Sequence, residues 1–442
     1  MSQLKALLNR GIEALEAGDP QLHEALEAEL RRQRHRLQLV ASSSLVDPSV
    51  LASEASVAVN VTAEGYPAHR YHGGCEGVDV IERIAIERAK QAFRARYANV
   101  QPHSASTANL IVMGMLLNPG DTLLGLSLDH GGHLSHGSKV SFSGRYYNAV
   151  GYGTTPEGLI DYGQVEELAH QHRPKLIICG TTAYSRRVDF ERFRRIADAV
   201  GAWLLADIAH IGGLVVAGEH PSPIDVAHIT TTCTHKQLFG PRGGLILMGK
   251  DHALPSPRGS GTLADAAQRG VFPLYQGAPV LNSIAARART LAFVQTEEFR
   301  QVARRIREDA SILAEVLVSR GWKLVAGGTD THIVLMDLRE RGLTGLVAER
   351  ALEECYFITN KNRIPGDPQP AGVASGLRLG TNGLARRGLG PRAVARCGEV
   401  MDEVLRHVVL TSPTTYTLDP ALRERVRAEV VELCEQHPIP GY

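Results

Sequence analysis

Lysine is scarce in this chain, with eight lysines against forty arginines, and one of them, Lys236, lies where an amine could react. It follows the run HITTTCTH and precedes QLFGPRGG, a turn after a buried strand. Desolvation there would lower its pKa and leave a nucleophilic amine; a solvated loop lysine is the plainer alternative. Asp207 ends the apolar run AWLLAD and is followed by Ile-Ala-His, so a carboxylate and His210 share one sheet edge. Such a carboxylate could hold a protonated pyridine nitrogen, and it could equally cap a helix. In QPHSASTANL, the hydroxyls of Ser104, Ser106 and Thr107 and a run of free N–H groups stand at a helix start. That arrangement suits a phosphate, and it also suits plain capping. Arg378 in SGLRLGTNG offers a guanidinium fork to a carboxylate, a structural ion pair being its alternative. His130, His133 and His136 invite a metal reading by count. The sequence offers them no obvious further ligands, and an imidazole can instead stack on an aromatic ring, so we expect no metal.

The elements that must position these groups follow from the pattern of the chain. With 442 residues, 43% hydrophobic and 21% charged, it can bury a large core. A net charge of +1 removes the footprint of a nucleic-acid or anionic-membrane binder. Six dispersed cysteines suggest neither a zinc pair nor a disulfide framework, which fits a reducing cytoplasm, and no apolar run is long enough to span a bilayer. Leu4, Leu7, Leu8, Ile12 and Leu15, then Leu22, Leu26 and Leu30, predict two amphipathic helices at the start, used for packing or dimer contact. Between 75 and 250 the apolar runs TLLGLSL, KLIICG, AWLLAD, HITTT and GGLILMG alternate with helical stretches such as Phe190 to Val200. This predicts an α/β fold with a mostly parallel sheet, whose ligands gather at the carboxyl ends of its strands. Helical patterns from Ile284 to Val318 and Leu346 to Glu354, broken by THIVLMDL, predict a smaller α+β domain. We expect a helical segment at 1–40, a large domain at 41–295 and a small one at 296–442. G-x-x-x-x-G-K-[ST], G-x-G-x-x-G after a strand, H-E-x-x-H and G-x-S-x-G are all absent.

Eight stretches in order, AEGYPAHRYHGGCEGVD, YANVQPHSASTANL, DHGGHLSHG, DIAHIGGLV, THKQLFGPRGGLIL, VFPLYQGAP, NKNRIPGDP and SGLRLGT, resemble those of serine hydroxymethyltransferases. These are pyridoxal-phosphate enzymes of the aspartate-aminotransferase fold class, and the resemblance runs from about residue 35 to the end. It implies that Lys236 carries the cofactor covalently, that Asp207 partners its ring nitrogen and that His210 touches a cofactor oxygen. It likewise implies stacking by His133 and phosphate or ring contacts from Ser104, Ala105, Ser106, Thr182, Gly277 and Ala278. Glu64 and His235 match catalytic positions. Ser42, Thr62, His72 and Arg378 match substrate positions, with Arg378 clamping the carboxylate. Tyr71, Leu128, Gly132, Leu134 and Asn362 match positions facing tetrahydrofolate, a possible co-substrate. In the family the Glu64 segment enters the neighbouring subunit's site, so a homodimer, or a tetramer built from it, is implied, with no nucleic-acid or membrane partner.

Departures from the family pattern bear on the substrate. The usual tyrosine two residues before the catalytic glutamate is Thr62, and the second tyrosine of the pair before Gly-Gly-Cys is His72. Ser43-Ser44 replace glutamate-asparagine, Pro370-Ala371-Gly372 replace serine-proline-phenylalanine, and Cys233 and Asn282 replace threonine and histidine. Threonine for tyrosine beside the α-carbon opens room for a methyl group, as in relatives acting on α-methylserine. The expected reaction is cleavage of α-methylserine to alanine, the one-carbon unit passing to tetrahydrofolate or leaving as formaldehyde. An ordinary serine enzyme, a threonine-type aldolase or transaldolase, and a catalytically silent binding subunit are the alternatives.

Overall fold

The computed structural model describes residues 2–442. Helices α1 (Gln3–Gly18) and α2 (Pro20–His35) begin the chain, with Ser2 capping the first and Asp19 and Pro20 starting the second. Neither helix buries a residue, and Leu4, Leu7, Ile12, Leu22 and Leu26 of the expected apolar stripe are exposed in the single chain.

The apolar runs form one seven-stranded sheet. Its strands are β1 (Tyr97–Asn99), β2 (Thr122–Leu126), β3 (Asn148–Tyr152), β4 (Leu176–Gly180), β5 (Trp203–Asp207), β6 (Ile229–Cys233) and β7 (Gly244–Met248), in the order β1-β7-β6-β5-β4-β2-β3. Strands β2 to β6 are parallel, and β7 runs antiparallel to β6 and β1. Every residue of β4, β6 and β7 is buried, as a sheet covered by helices on both faces requires. The covering helices include α3 (Glu76–Phe93), α4 (Ala105–Leu116), α5 (Phe190–Val200) and α6 (Leu281–Phe293).

The single helical pattern expected over 284–318 is two helices. Helix α6 stops at Phe293, and α7 (Glu297–Ser319) restarts where Thr296 Oγ1 accepts the Phe299 N–H at 3.2 Å. A threonine followed by two glutamates is a helix start that apolar periodicity alone reads through. Beyond α7, β8 (Lys323–Leu324), β9 (Ile333–Asp337), β10 (Asn360–Asn362) and β11 (Gly376–Gly380) form an antiparallel sheet ordered β8-β9-β11-β10.

Helix α7 serves two cores. Phe299, Ala303 and Ile306 pack with the large sheet, whereas Ala310, Leu313 and Leu317 pack with Leu37, Leu39 and the apolar residues of β9 and β11. We propose that these cores mark the two larger units, the expected break near 295 falling just before a helix both share. Residues Leu37–Gln38 pair in parallel with Phe357–Ile358, so the chain between α2 and the large sheet first crosses the second core. That path carries Ala41 and Ser42 past the end of β11, where Gly380 N–H donates to Leu39 O at 2.7 Å. Among the described residues no helix is long and apolar enough to cross a membrane.

Gly380 is needed for this approach, because a Cβ there would lie 2.4 Å from Ala41 Cα. Gly380→Ala must push the 41–42 segment aside, and overpacking of this kind costs about 1–3 kcal/mol. A lower melting temperature and weaker amino-acid binding, read by calorimetry and by titration, are the expected outcomes.

Candidate active site

The carboxyl ends of the parallel strands meet the start of α4 around a cavity of about 410 Å³. Loops after β2, β4, β5 and β6 bring His133, Thr182, His210 and Lys236 to it, and the second core adds Ser42 and Arg378. Ser104, Ala105, Ser106, Leu128, Gly132, Leu134 and His235, all expected from the sequence, also line it.

Lys236 is 9% exposed, and its amine makes no hydrogen bond in the chain. Burial, ahead of any charge, lowers its pKa below the usual lysine range, with Arg378 and Arg242 pulling the same way. The solvated-loop alternative is therefore set aside. At α4, capping is the right reading of one hydroxyl: Ser104 Oγ accepts the Thr107 N–H at 3.0 Å. The N–H groups of Ala105 and Ser106, in the first turn, have no intrahelical acceptor and belong to residues that line the cavity.

Asp207 does not cap a helix, since the next one, Gly212–Ala217, has Ile211 at its N-cap. Its Oδ2 accepts from Asn109 Nδ2 at 2.8 Å and His136 Nε2 at 3.0 Å, and its Oδ1 accepts the Ala209 N–H at 3.0 Å. Burial works to raise its pKa, but the His136 bond and charge, with His133 and Asn109, outweigh it and hold the carboxyl well below the usual range. It is ionised at neutral pH. His136 Nδ1 accepts the His133 N–H, which assigns the ring proton to Nε2.

The three histidines of the 129–137 stretch do not converge. His130 bonds Thr154, His133 bonds Ser135 and His136 bonds Asp207, and among the described residues no group of three or more His, Cys, Asp or Glu is placed to hold a metal. Burial first, and His136 second, lower the His133 pKa to about 4, so its ring is neutral.

Arg378 has no acidic partner and the ion-pair alternative fails. Nε donates to Asn360 Oδ1 at 3.1 Å and Nη1 to Thr182 O at 2.6 Å, which leaves Nη2 for a ligand. Burial alone lowers its pKa to about 10. Thr182 also donates to Gly132 O at 2.8 Å, fixing the loop that carries His133. Burial, then Arg242 and Lys236, lowers the His235 pKa to about 3.

Six expected residues lie elsewhere in the single chain, around a short hairpin, with Thr62, Tyr71, His72 and Gly277 exposed and Glu64 and Ala278 half-buried. His72 Nε2 stands 3.6 Å from Glu64 Oε2, and a Cβ on Gly277 would lie 3.5 Å from Glu64 Oε1. Tyr71, 75% exposed, packs its ring on Phe272 at 5.5 Å. Thr62 is exposed beside them and Ala278 follows Gly277. Asn362 sits on β10, its amide turned to Arg363 O at 2.6 Å, and does not line the cavity.

Several residues at the site were not read from the sequence. Asn109 is the one polar side chain on the buried face of an apolar helix, a signal in itself. His136 reads from the sequence only as a candidate metal ligand, and Asn360 is opposite Arg378 in register, two strand positions from the expected Asn362. His332 stacks on His210 with centroids 5.7 Å apart and a 23° interplanar angle. Arg242 lines both this cavity and a polar neighbour of about 390 Å³ that includes Ser43 and Ser44.

A buried amine without a partner, an ionised carboxylate, free helix N–H groups and an orphaned His210 Nδ1 fit pyridoxal phosphate in aldehyde, ring and phosphate chemistry. Fold and site together define a pyridoxal-phosphate-dependent transferase of the aspartate-aminotransferase fold class. The sequence profile of serine hydroxymethyltransferase matches residues 15–401. A serine hydroxymethyltransferase of Alkalilimnicola ehrlichii is 48% identical over 95% of this chain and 96% of its own length. One of Methylococcus capsulatus is 46% identical over 98% and 99%. The chain belongs to the serine hydroxymethyltransferase family, whose members bind pyridoxal phosphate through a lysine and use tetrahydrofolate as co-substrate.

Borohydride reduction of the loaded protein followed by peptide mapping should place the pyridoxyl label on Lys236; a label on Lys175 or Lys250 would remove it from the site. Asp207→Asn should keep a folded protein with lowered turnover, by about 100- to 1,000-fold on the scale of losing one preorganised electrostatic group, measured by steady-state kinetics.

Proposed function

We propose that the chain transfers a hydroxymethyl group between serine and tetrahydrofolate, the activity named in both relatives. The observation that carries the reading is the convergence of Lys236 and Arg378 on one cavity, with the buried Asp207 carboxylate behind it acting on Lys236 and His133. Bound pyridoxal phosphate supplies an electron sink for breaking the bond to the hydroxymethyl carbon. In this reading Arg378 takes the substrate carboxylate through its free Nη2, with Ser42 beside it. Asp207 keeps the proton on the ring nitrogen, since its anion is held by His136 and Asn109. Ala105 and Ser106 N–H groups hold the phosphate, His133 covers the ring and His210 meets a cofactor oxygen. Leu128, Gly132 and Leu134 border the entrance on the side given to folate.

Glu64 moves the proton of the substrate hydroxyl in this reading, and it does so in a homodimer. The support is that Glu64, Tyr71, His72 and Gly277 cluster on the exterior of the chain, away from the cavity they would serve. A second copy presenting this hairpin completes the site, with α1 and α2 offering it an exposed apolar stripe.

Thr62 favours a second substrate, α-methylserine. A short side chain beside the α-carbon accommodates a methyl group that tyrosine would exclude. The test is kcat/KM for serine and α-methylserine, each with and without tetrahydrofolate. On the α-methylserine reading, Thr62→Tyr shifts the ratio toward serine by roughly 5- to 150-fold, the equivalent of about 1–3 kcal/mol of overpacking. A wild type that prefers serine, with a ratio unmoved by the substitution, leaves the serine reading.

A further inference from the structure

Arg287 is a buried cation that the reaction scheme above does not use. It lies on α6, 1% exposed, and its guanidinium is embedded in backbone. Nη1 donates to Val100 O and, at 3.2 Å, to Pro102 O, while Nη2 reaches Ser283 Oγ at 3.4 Å. Nε is buried without a partner. Ser283 Oγ in turn donates to Arg242 O at 3.0 Å, and Pro102 O also accepts the Gly244 N–H at 2.8 Å. The guanidinium therefore ties two segments. One is the loop 100–103 that delivers Ser104 and the first turn of α4. The other is the end of the Lys236 loop, where Gly243 has no side chain because a Cβ would lie 2.2 Å from Arg287 Nε.

Holding two loops requires hydrogen bonds but not a charge, and burying a cation without an anion is costly. The acidic groups acting on Arg287 are Glu54 and Glu82, both at longer range than a hydrogen bond. Burial lowers its pKa to about 10, so it remains protonated at neutral pH. No carboxylate of the chain is in contact with it, and the group expected at the next helix start carries a negative charge. We propose that Arg287 is a positioning residue for the cofactor phosphate, fixing the loop that presents the α4 N–H groups and supplying the buried positive charge behind them. The proposal rests on the placement of that phosphate at Ala105 and Ser106.

The test compares ligands that differ only in the phosphate. Full-length protein stripped of cofactor is titrated with pyridoxal phosphate, pyridoxal and inorganic phosphate, following absorbance for the first two and thermal protection for the third. Arg287→Met is expected to weaken pyridoxal phosphate and inorganic phosphate by about tenfold or more, the scale of an interior charge interaction, while pyridoxal binding stays near wild type. Parallel losses for pyridoxal phosphate and pyridoxal, or no loss, would overturn the proposal. Arg287→Lys keeps the cation and decides the matter even if the methionine variant does not fold: a retained preference for the phosphorylated ligand supports it, and a lost one overturns it. Ala105→Pro, which fits the first helical position and removes one of the two N–H groups, separates the two layers of the argument. If it leaves phosphate discrimination untouched, the placement at α4 fails and the role of Arg287 fails with it. If it reduces discrimination while Arg287→Met does not, only the role of Arg287 fails.

Discussion

An ionised carboxylate sealed at the end of β5 is the constraint on which the rest of the site depends. Asp207 is 7% exposed, and a buried anion is tolerated only where donors compensate its lost hydration. Those donors come from three places in the fold: Asn109 on α4, His136 after β2 and the Asp207 turn itself. Asn109 is anchored in turn, accepting from Thr231 Oγ1 of β6 at 2.6 Å and donating to Ser135 Oγ at 2.9 Å. One carboxylate thus fixes α4, the β2 loop, β5 and β6 against each other, and these are the elements that carry the amine, the imidazole and the helix start.

The opposite wall is cationic and comes from the second core. Arg378 on β11 is oriented by Asn360 from the adjacent strand and by Thr182 from the large sheet, so its side chain spans the two cores. The buried Lys236 and Arg287 and the exposed Arg242 add positive charge around the site, and none of them has an ion-pair partner close by. Such a surplus of buried positive charge suits ligands that bring a phosphate and a carboxylate. It also explains why the histidines stay neutral: His210 and His332, fully enclosed, have pKa values lowered by burial first and by the Lys236 and Arg378 charges next.

What the sequence by itself determined is the part governed by local pattern. Apolar runs flanked by turns mark β2, β4, β5, β6 and β7, and a chemically active residue placed at or just after the end of such a run must stand at the carboxyl edge of the sheet, as Asp207 and Lys236 do. The caps at Ser104 and Thr296 are equally local, although the second was hidden by continuous apolar periodicity. Only the tertiary structure decided which of two equivalent local readings holds. Asp207 is a stabilised buried anion and not a cap because Asn109 and His136, remote in sequence, converge on it. His136 is a donor and not a metal ligand for the same reason, and Asn360 instead of Asn362 meets Arg378 because strand register, set by the pairing of β10 with β11, chooses which neighbour faces it. The exterior position of Glu64 and Thr62 belongs to this second kind. A motif fixes the chemistry of a side chain, whereas its partners, burial and the cavity it serves depend on contacts between segments that no local spacing encodes.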